Sequence, residues 1–419
     1  MSSSPVTPPA TTITRGMQLT LLAGFLGWMM DGYEQAIFPL LASPALKSMV
    51  PDTEVGLWMG RITATFLVGA AFGGAGFGWL GDRIGRVRAM GLSILFYSLF
   101  SGLCYFATTP FHLAIFRFFS ALGMGGEWAL GVALVMESWP EIHRPKMAAA
   151  IGLAANFGMV LVGAVALAYP ASSESWRIHF LIGASPAVIT LLIRFFVPES
   201  EKWKKASARP EVARGGWAKI IEVFQAPYRT ATIGGILLVS VVLIGTWGAV
   251  QWIPLWVTEL AGPANTRAKA YAMVLVSLGA CVGTVVAPLF LAKFTRRRGY
   301  QILCGCALLM SAWIFRTPAT WGPLLWLKIF LLGCTATAFF GFFPLYLPEL
   351  FPTKIRATGQ GICYNTGRLV AVPFVLLSGE LVKWLGGYQQ AAAVITLIYF
   401  AGLGFAFFAR ETSGQTLAE

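Results

Sequence analysis

Residues 78–88 read GWLGDRIGRVR and lie between two apolar runs, each long enough to cross a bilayer. Asp82, Arg83, Arg86 and Arg88 form a charge cluster that cannot enter hydrocarbon, so the stretch fixes a short loop at a membrane surface, its glycines permitting a tight turn. The chain around it has 419 residues, of which 57% are hydrophobic and only 12% charged. A soluble domain carries about 25% charged residues, so this composition describes a multi-pass membrane protein in a cell or inner membrane. The formal charge of +13 follows membrane topology, as shown next, and does not indicate a nucleic-acid partner. All six cysteines fall inside apolar runs, and Cys304 and Cys306 point to different helix faces with no histidine close by. No metal site and no cofactor are expected.

Twelve apolar spans can be read, at 17–41, 58–80, 89–107, 111–136, 147–169, 177–197, 230–258, 268–292, 300–315, 321–347, 357–383 and 388–409. A polar insert divides them six and six. The expected organisation is a disordered tail (1–16), a six-helix bundle (17–198), a linker (199–228) with a short interfacial helix near 217–224, a second six-helix bundle (229–410) and a tail (411–419). With the N-terminus placed in the cytoplasm, 20 lysines and arginines fall in inner segments and 6 in outer ones, which puts both termini and the linker inside.

The two halves repeat. Glu137-x-x-Pro140-x-x-x-Arg144 leaves the fourth span and Glu349-x-x-Pro352-x-x-x-Arg356 leaves the tenth. Gly152-x-x-x-Asn156-x-Gly158 lies in the fifth and Gly361-x-x-x-Asn365-x-Gly367 in the eleventh. The counterpart of the opening loop keeps only a basic run, Arg296-Arg297-Arg298. The opening loop resembles the G-x-L-[AG]-D-R-x-G-R loop of the major facilitator superfamily. Residues 122–144, LGMGGEWALGVALVMESWPEIHR, and Trp28-x-x-Asp31-Gly-Tyr33-Glu34 resemble its sialate/lactate:proton symporter branch, and the latter is also similar to aromatic-acid:proton symporters. Pro198-Glu199-Ser200 and the stretch at 348–359 are shared more widely in that superfamily. The resemblance implies two pseudo-symmetric six-helix bundles, usually monomeric, with a central site lined by the first, fourth, seventh and tenth spans and alternating access by rocking. It implies that Asp82, Arg83, Arg86, Glu137, Arg144, Glu349 and Arg356 latch the bundles on the inner side.

A charge at mid-bilayer costs about 3 kcal/mol, and seven stand inside spans: Asp31, Glu34, Arg61, Arg117, Glu127, Lys328 and Arg368. They must face one another or water, which excludes a plain structural bundle. Asp31, Glu34, Arg117 and Glu127 are the candidate proton-coupling groups. Arg117 pairs with Asp31 in this reading, and Arg61 either pairs with Glu34 near the outer mouth or reaches outward to the surface. Arg368, Lys328, Asn365, Tyr364, Trp247, Gln251, Tyr33 and Asn156 are the candidate substrate contacts, although the asparagines also suit interhelical hydrogen bonding. Four bases against three acids give a positive site, which favours a small organic anion carried with protons. The alternatives are a proton-coupled organic cation antiporter, a sugar facilitator using Trp247, Trp252 and Gln251, and a sensor built on a carrier fold. An enzyme is disfavoured, since no nucleotide-binding loop or metal cluster is present.

Overall fold

The computed structural model describes residues 13–169, 172–185, 188, 196–207, 218–262, 264, 265 and 267–415. The regular structure of these residues is helical. The first six spans contribute α1 (Arg15–Lys47), α2 (Asp52–Ile84), α3 (Arg86–Leu103), α4 (Pro110–Ser138), α5 (Arg144–Ala168) and α6 (Trp176–Gly183). The linker holds α7 (Glu201–Ser207) and α8 (Ala218–Glu222), the latter at the place expected for a short interfacial helix. The second half comprises α9 (Arg229–Gly248), α10 (Ile253–Ala261), α11 (Ala268–Leu291), α12 (Arg296–Phe315), α13 (Pro323–Ala336), α14 (Phe339–Tyr346), α15 (Arg356–Leu385), α16 (Tyr388–Ile395) and α17 (Ile398–Phe405). The tail before residue 13, most of the second half of the sixth span and linker residues 208–217 lie outside the described residues.

Among the described residues, nine helical stretches are long and apolar enough to span a bilayer. The first and eleventh spans are absent from those nine although α1 has 33 residues and α15 has 30. Buried Asp31, Glu34 and Gln35 in α1 and Gln360, Asn365 and Arg368 in α15 lower their hydropathy. These two helices therefore carry polar groups into the interior. Bulky apolar residues such as Leu99, Phe111, Phe290 and Leu309 stay exposed on the outer surface, where lipid covers them.

Local chemistry sets several helix ends. Thr14, Thr109 and Thr295 cap α1, α4 and α12 through their side chains, accepting from Met17, His112 and Arg298 N–H groups. The loop between α2 and α3 is tighter than expected: α2 runs on through Gly81 to Ile84, and Gly85 alone turns the chain, at φ 109°. A side chain there would be strained and would also meet the Glu199 carboxylate, since a Cβ would lie 2.2 Å from its Oε2.

The seventh and tenth spans, expected to be continuous, are broken. A 3₁₀ turn at Val250–Trp252, ahead of Pro254, separates α9 from α10, and Thr337 and Ala338 separate α13 from α14. Both breaks adjoin a cavity, a setting in which irregular backbone is tolerated at membrane depth.

The segments after the sixth and twelfth spans do the same work twice. Glu199 accepts the N–H groups of Arg86 and Val87 at the start of α3, both at 3.0 Å. Glu411 accepts those of Arg296 (2.9 Å) and Arg297 (3.2 Å) at the start of α12. Each carboxylate satisfies orphan donors at a positive helix end. Burial works against ionisation of Glu411, but hydrogen bonds from Ser413 and from these two N–H groups outweigh it and hold its carboxyl at about 2. An unfolded Glu titrates near about 4.3, so the stabilisation is present above that pH and is lost as pH falls through the folded value. The thermal stability advantage of the wild type over Glu411→Gln is accordingly expected to be full at neutral pH and to shrink between about pH 4 and about pH 2. An advantage that instead grew on acidification would contradict the assignment.

Candidate functional site

Three groups of buried polar residues stand in the interior; the first and third join the two halves, and the second lies within the first half. At the face carrying Gly85, Arg86 sits in a complete acceptor shell. Its guanidinium donates to the Gly81 carbonyl (2.8 Å), Asp82 Oδ1 (2.5 Å), Glu137 Oε1 (3.0 Å) and the Thr353 carbonyl (3.0 Å). Arg356, from the other half, donates to Glu137 Oε1 at 3.1 Å and to Thr353 Oγ1 at 2.9 Å. Asp82 Oδ2 accepts from the Thr358 N–H (2.9 Å) and hydroxyl (2.5 Å). Asp82, Arg86, Glu137 and Arg356 are all buried. In the second half, Glu349 receives both Arg296 Nε and Nη2, at 3.0 and 2.8 Å, so Arg296 takes the part played by Arg86. The run Arg296-Arg297-Arg298 is the counterpart of the opening loop in sequence, but without the Asp-Arg-x-Gly-Arg frame the sequence does not single out Arg296. Two of the expected latch residues stand apart from this network: Arg83 is exposed over the Trp79 ring, and Arg144 bonds Glu141 and the Gln415 carbonyl.

The second group surrounds Glu34. Arg117 pairs with Glu34, not with Asp31, bonding both its carboxylate and its backbone carbonyl. Ser101 and Ser120 donate to the same carboxylate at 2.8 and 3.0 Å, and the guanidinium lies 4.5 Å from the Phe66 ring centroid. Glu34 is therefore a sealed interior residue and does not lie near an outer mouth. Arg61 is exposed and rests over Trp58, which leaves it no part in the pair.

The third group joins α1, α4 and α15. Asp31 accepts from Gln35 Nε2 at 3.0 Å and lies within electrostatic reach of Arg368 and Glu34. Arg368 donates to Asn365 Oδ1 at 2.8 Å and covers the Tyr364 ring, which stacks on Trp128 of α4 at 4.3 Å. Asn365 in turn donates to the carbonyls of Gly125 and Gly361. Asn365 approaches α2 so closely that a Cβ on Gly74 would lie 1.7 Å from its Nδ2. The Glu127 carboxyl is buried and neither of its oxygens has a hydrogen-bond partner; Asp31 Oδ1, Tyr33 Oη and Arg368 Nε share that condition.

Beside the third group, reached through Gln35, lies a narrow cavity of 80 Å³. Of the expected substrate residues, Asn156, Trp247 and Gln251 line it, and the structure adds Gln35, Thr246, Ser277 and Thr337. No charged side chain is among its lining residues. Tyr33, Tyr364, Asn365 and Arg368 are buried and are not among its lining residues. Lys328 donates to Thr317 Oγ1 at 2.6 Å, beside Trp313, and is not brought to the cavity. The lining comes from the first, fifth, seventh, eighth and tenth spans. The fourth, expected to share the lining, contributes none of it and is held to the eleventh by the Trp128–Tyr364 stack and by Gln360 donating to the Ala129 carbonyl. Gln35 was detectable in the sequence as the residue one helical turn beyond Asp31. Ser277 and Thr337 carried no signal distinguishing them from ordinary span residues.

Residues 12–372 match the family described as the Major Facilitator Superfamily. The chain belongs to this superfamily. It is 30% identical to a "Probable 4-methylmuconolactone transporter" of Cupriavidus pinatubonensis over 91% of this chain and 87% of that one. It is 26% identical to the "Sialic acid transporter NanX" of Escherichia coli (91% and 90%) and 27% identical to the "Cis,cis-muconate transport protein" of Acinetobacter baylyi (84% and 85%). The fold matches a solved proton:xylose symporter structure at a TM-score of 0.77 and 18% identity, covering 96% of this chain and 98% of that one. The protein is thus a superfamily transporter and not an enzyme, an all-α integral membrane protein whose fold has twelve membrane-spanning helices in two bundles.

Arg117 is the test of the buried pair. Arg117→Met strands the Glu34 carboxylate and is expected to cost about 3–5 kcal/mol of stability, most of it restored when Glu34→Gln is added. Thermal unfolding of the purified variants measures this; equal melting of the single and double variants would show that charge does not hold the pair.

Proposed function

We propose that the protein is a proton-coupled symporter of a small organic anion, a carboxylate, working by alternating access as a monomer with both termini in the cytoplasm. The carrying observation is the charge balance of the interior. With Arg61 on the surface and Lys328 satisfied elsewhere, the groups behind the cavity are three acids, Asp31, Glu34 and Glu127, and two bases, Arg117 and Arg368. The excess of positive charge read from the sequence is therefore absent while the acids are ionised, when the balance is −1. Two protonations reverse it to +1. In a site of low dielectric constant that reversal decides whether an anion enters. Binding of protons and anion then favours one another, the differential affinity that symport requires. The names of the relatives, sialic acid and muconate among them, support a carboxylate.

In this mechanism Glu34 and Arg117 separate on protonation, Asp31 responds beside the cavity, and Asn156, Gln251 and Trp247 hold the body of the substrate. Arg368, seated over the Tyr364 ring, supplies the positive field. The network of Asp82, Arg86, Glu137 and Arg356 closes the cytoplasmic side and must break for release.

A sugar carrier is favoured by one observation, the uncharged amide, hydroxyl and indole lining of the cavity. Proteoliposomes holding a trapped pH dye separate the two. Adding cis,cis-muconate or N-acetylneuraminate is expected to acidify the lumen in a protein-dependent manner. Sugar uptake without a pH change would establish the second reading, and alkalinisation by organic cations would establish antiport.

A further inference from the structure

Gln35 is the cavity-lining residue whose side chain is hydrogen-bonded to a buried carboxylate. It follows Asp31 by one helical turn on α1, so the two share a face. Asp31 is fully buried, and Gln35 keeps 7% exposure. An amide is two-faced: Nε2 carries two donors and Oε1 only acceptor lone pairs, and the group is planar. An ionised carboxylate can only accept. While Asp31 is ionised, Gln35 must turn Nε2 toward it, as seen at 3.0 Å, and leave Oε1 for the cavity. An acceptor facing the cavity repels a carboxylate.

We propose that Gln35 is the positioning residue that relays the protonation of Asp31 to the anion. This rests on the symport reading above. When a proton from the aqueous side binds Asp31, the carboxyl gains an O–H donor and loses its charge. Its best partner becomes Gln35 Oε1, and the amide turns over about its terminal bond, a rotation that stays within the ordinary torsional range of glutamine. Nε2 then presents donors to the cavity beside Asn156 and Gln251. Proton release from Asp31 reverses the turn and expels the anion.

The groups facing Asp31 are Arg368 and Tyr364 from α15, Glu127 from α4 and Tyr97 from α3, with Glu34 on its own helix. None of these is among the lining residues. Gln35 is therefore the hydrogen-bonded link between this buried cluster and the space the anion occupies. A glutamine is suited to the post because it has a donor and an acceptor of nearly equal reach; leucine has neither, and asparagine is one methylene too short to span both.

Equilibrium binding of labelled cis,cis-muconate to the purified full-length protein tests this, measured from mildly acidic to mildly alkaline pH. The wild type is expected to lose affinity as pH rises, by up to about tenfold per pH unit for each linked proton. Asp31→Asn, whose amide mimics the protonated acid as a donor, is expected to bind at the acid-limb affinity with a shallower pH dependence. Gln35→Leu and Gln35→Asn are expected to bind weakly with that same shallower dependence, while melting within a few degrees of the wild type. A Gln35→Leu profile with the full wild-type slope would overturn the relay and leave symport standing. A flat wild-type profile would remove the symport reading and the relay with it.

Discussion

Arg86 and Arg356 are two permanent cations with no exposure, and a chain built for hydrocarbon cannot leave them so without anions. Glu137 answers both. Its Oε1 accepts from Arg86 of its own half and Arg356 of the other, and its Oε2 takes the Ser200 hydroxyl at 2.7 Å. The need to neutralise buried charge fixes the approach of α2, α4 and α15, the direction in which the chain leaves the sixth span, and the placement of the Glu199 cap on α3. The same need, met by Glu34 with Arg117 and by Asp31 near Arg368, draws α1, α4 and α15 together.

A network that satisfies every charge is stable but not inert. Each pair across the halves is held by groups that water could replace if the faces separated, so opening exchanges protein partners for solvent and need not strand a charge. At the opposite side of the cavity the halves meet mainly through apolar packing, with Ala270 and Met273 joining Leu40, Leu41, Val162 and Ala166. Pro44 removes the donor that would have bonded the Leu40 carbonyl within α1, and Lys269 of the other half donates to that carbonyl at 3.2 Å. One face closes by a lattice of charges and the other, among the bonds described, by a lysine on a backbone oxygen.

Much of this was legible in the chain. The periodic spans, the central insert and the paired Glu-x-x-Pro-x-x-x-Arg motifs lead to the family fold, and the depth of the charged residues points to the interior pairs. What failed had a common cause. Depth along a helix places a residue along the membrane normal but not around the helix, so Arg117 was assigned to Asp31 when Glu34, three residues on, faces it. Arg61 takes the outward course that the sequence allowed it, over Trp58, and so leaves the charge balance, while Lys328 leaves the substrate site because depth alone cannot show that a long side chain reaches Thr317 instead. The breaks at Val250–Trp252 and Thr337 were missed because their sequences remain apolar. They became readable only beside the cavity they shape.

The central claim is that Glu137, shared by arginines of both halves, keeps the Gly85 face shut. Pulsed electron–electron resonance between spin labels at Arg88 and Arg298, both exposed, measures it in a background whose native cysteines are replaced. A single short distance is predicted for the otherwise unaltered protein without substrate, and a longer or bimodal distribution on Glu137→Gln. An unchanged distribution in that variant would show that packing closes the face and that the charge network does not.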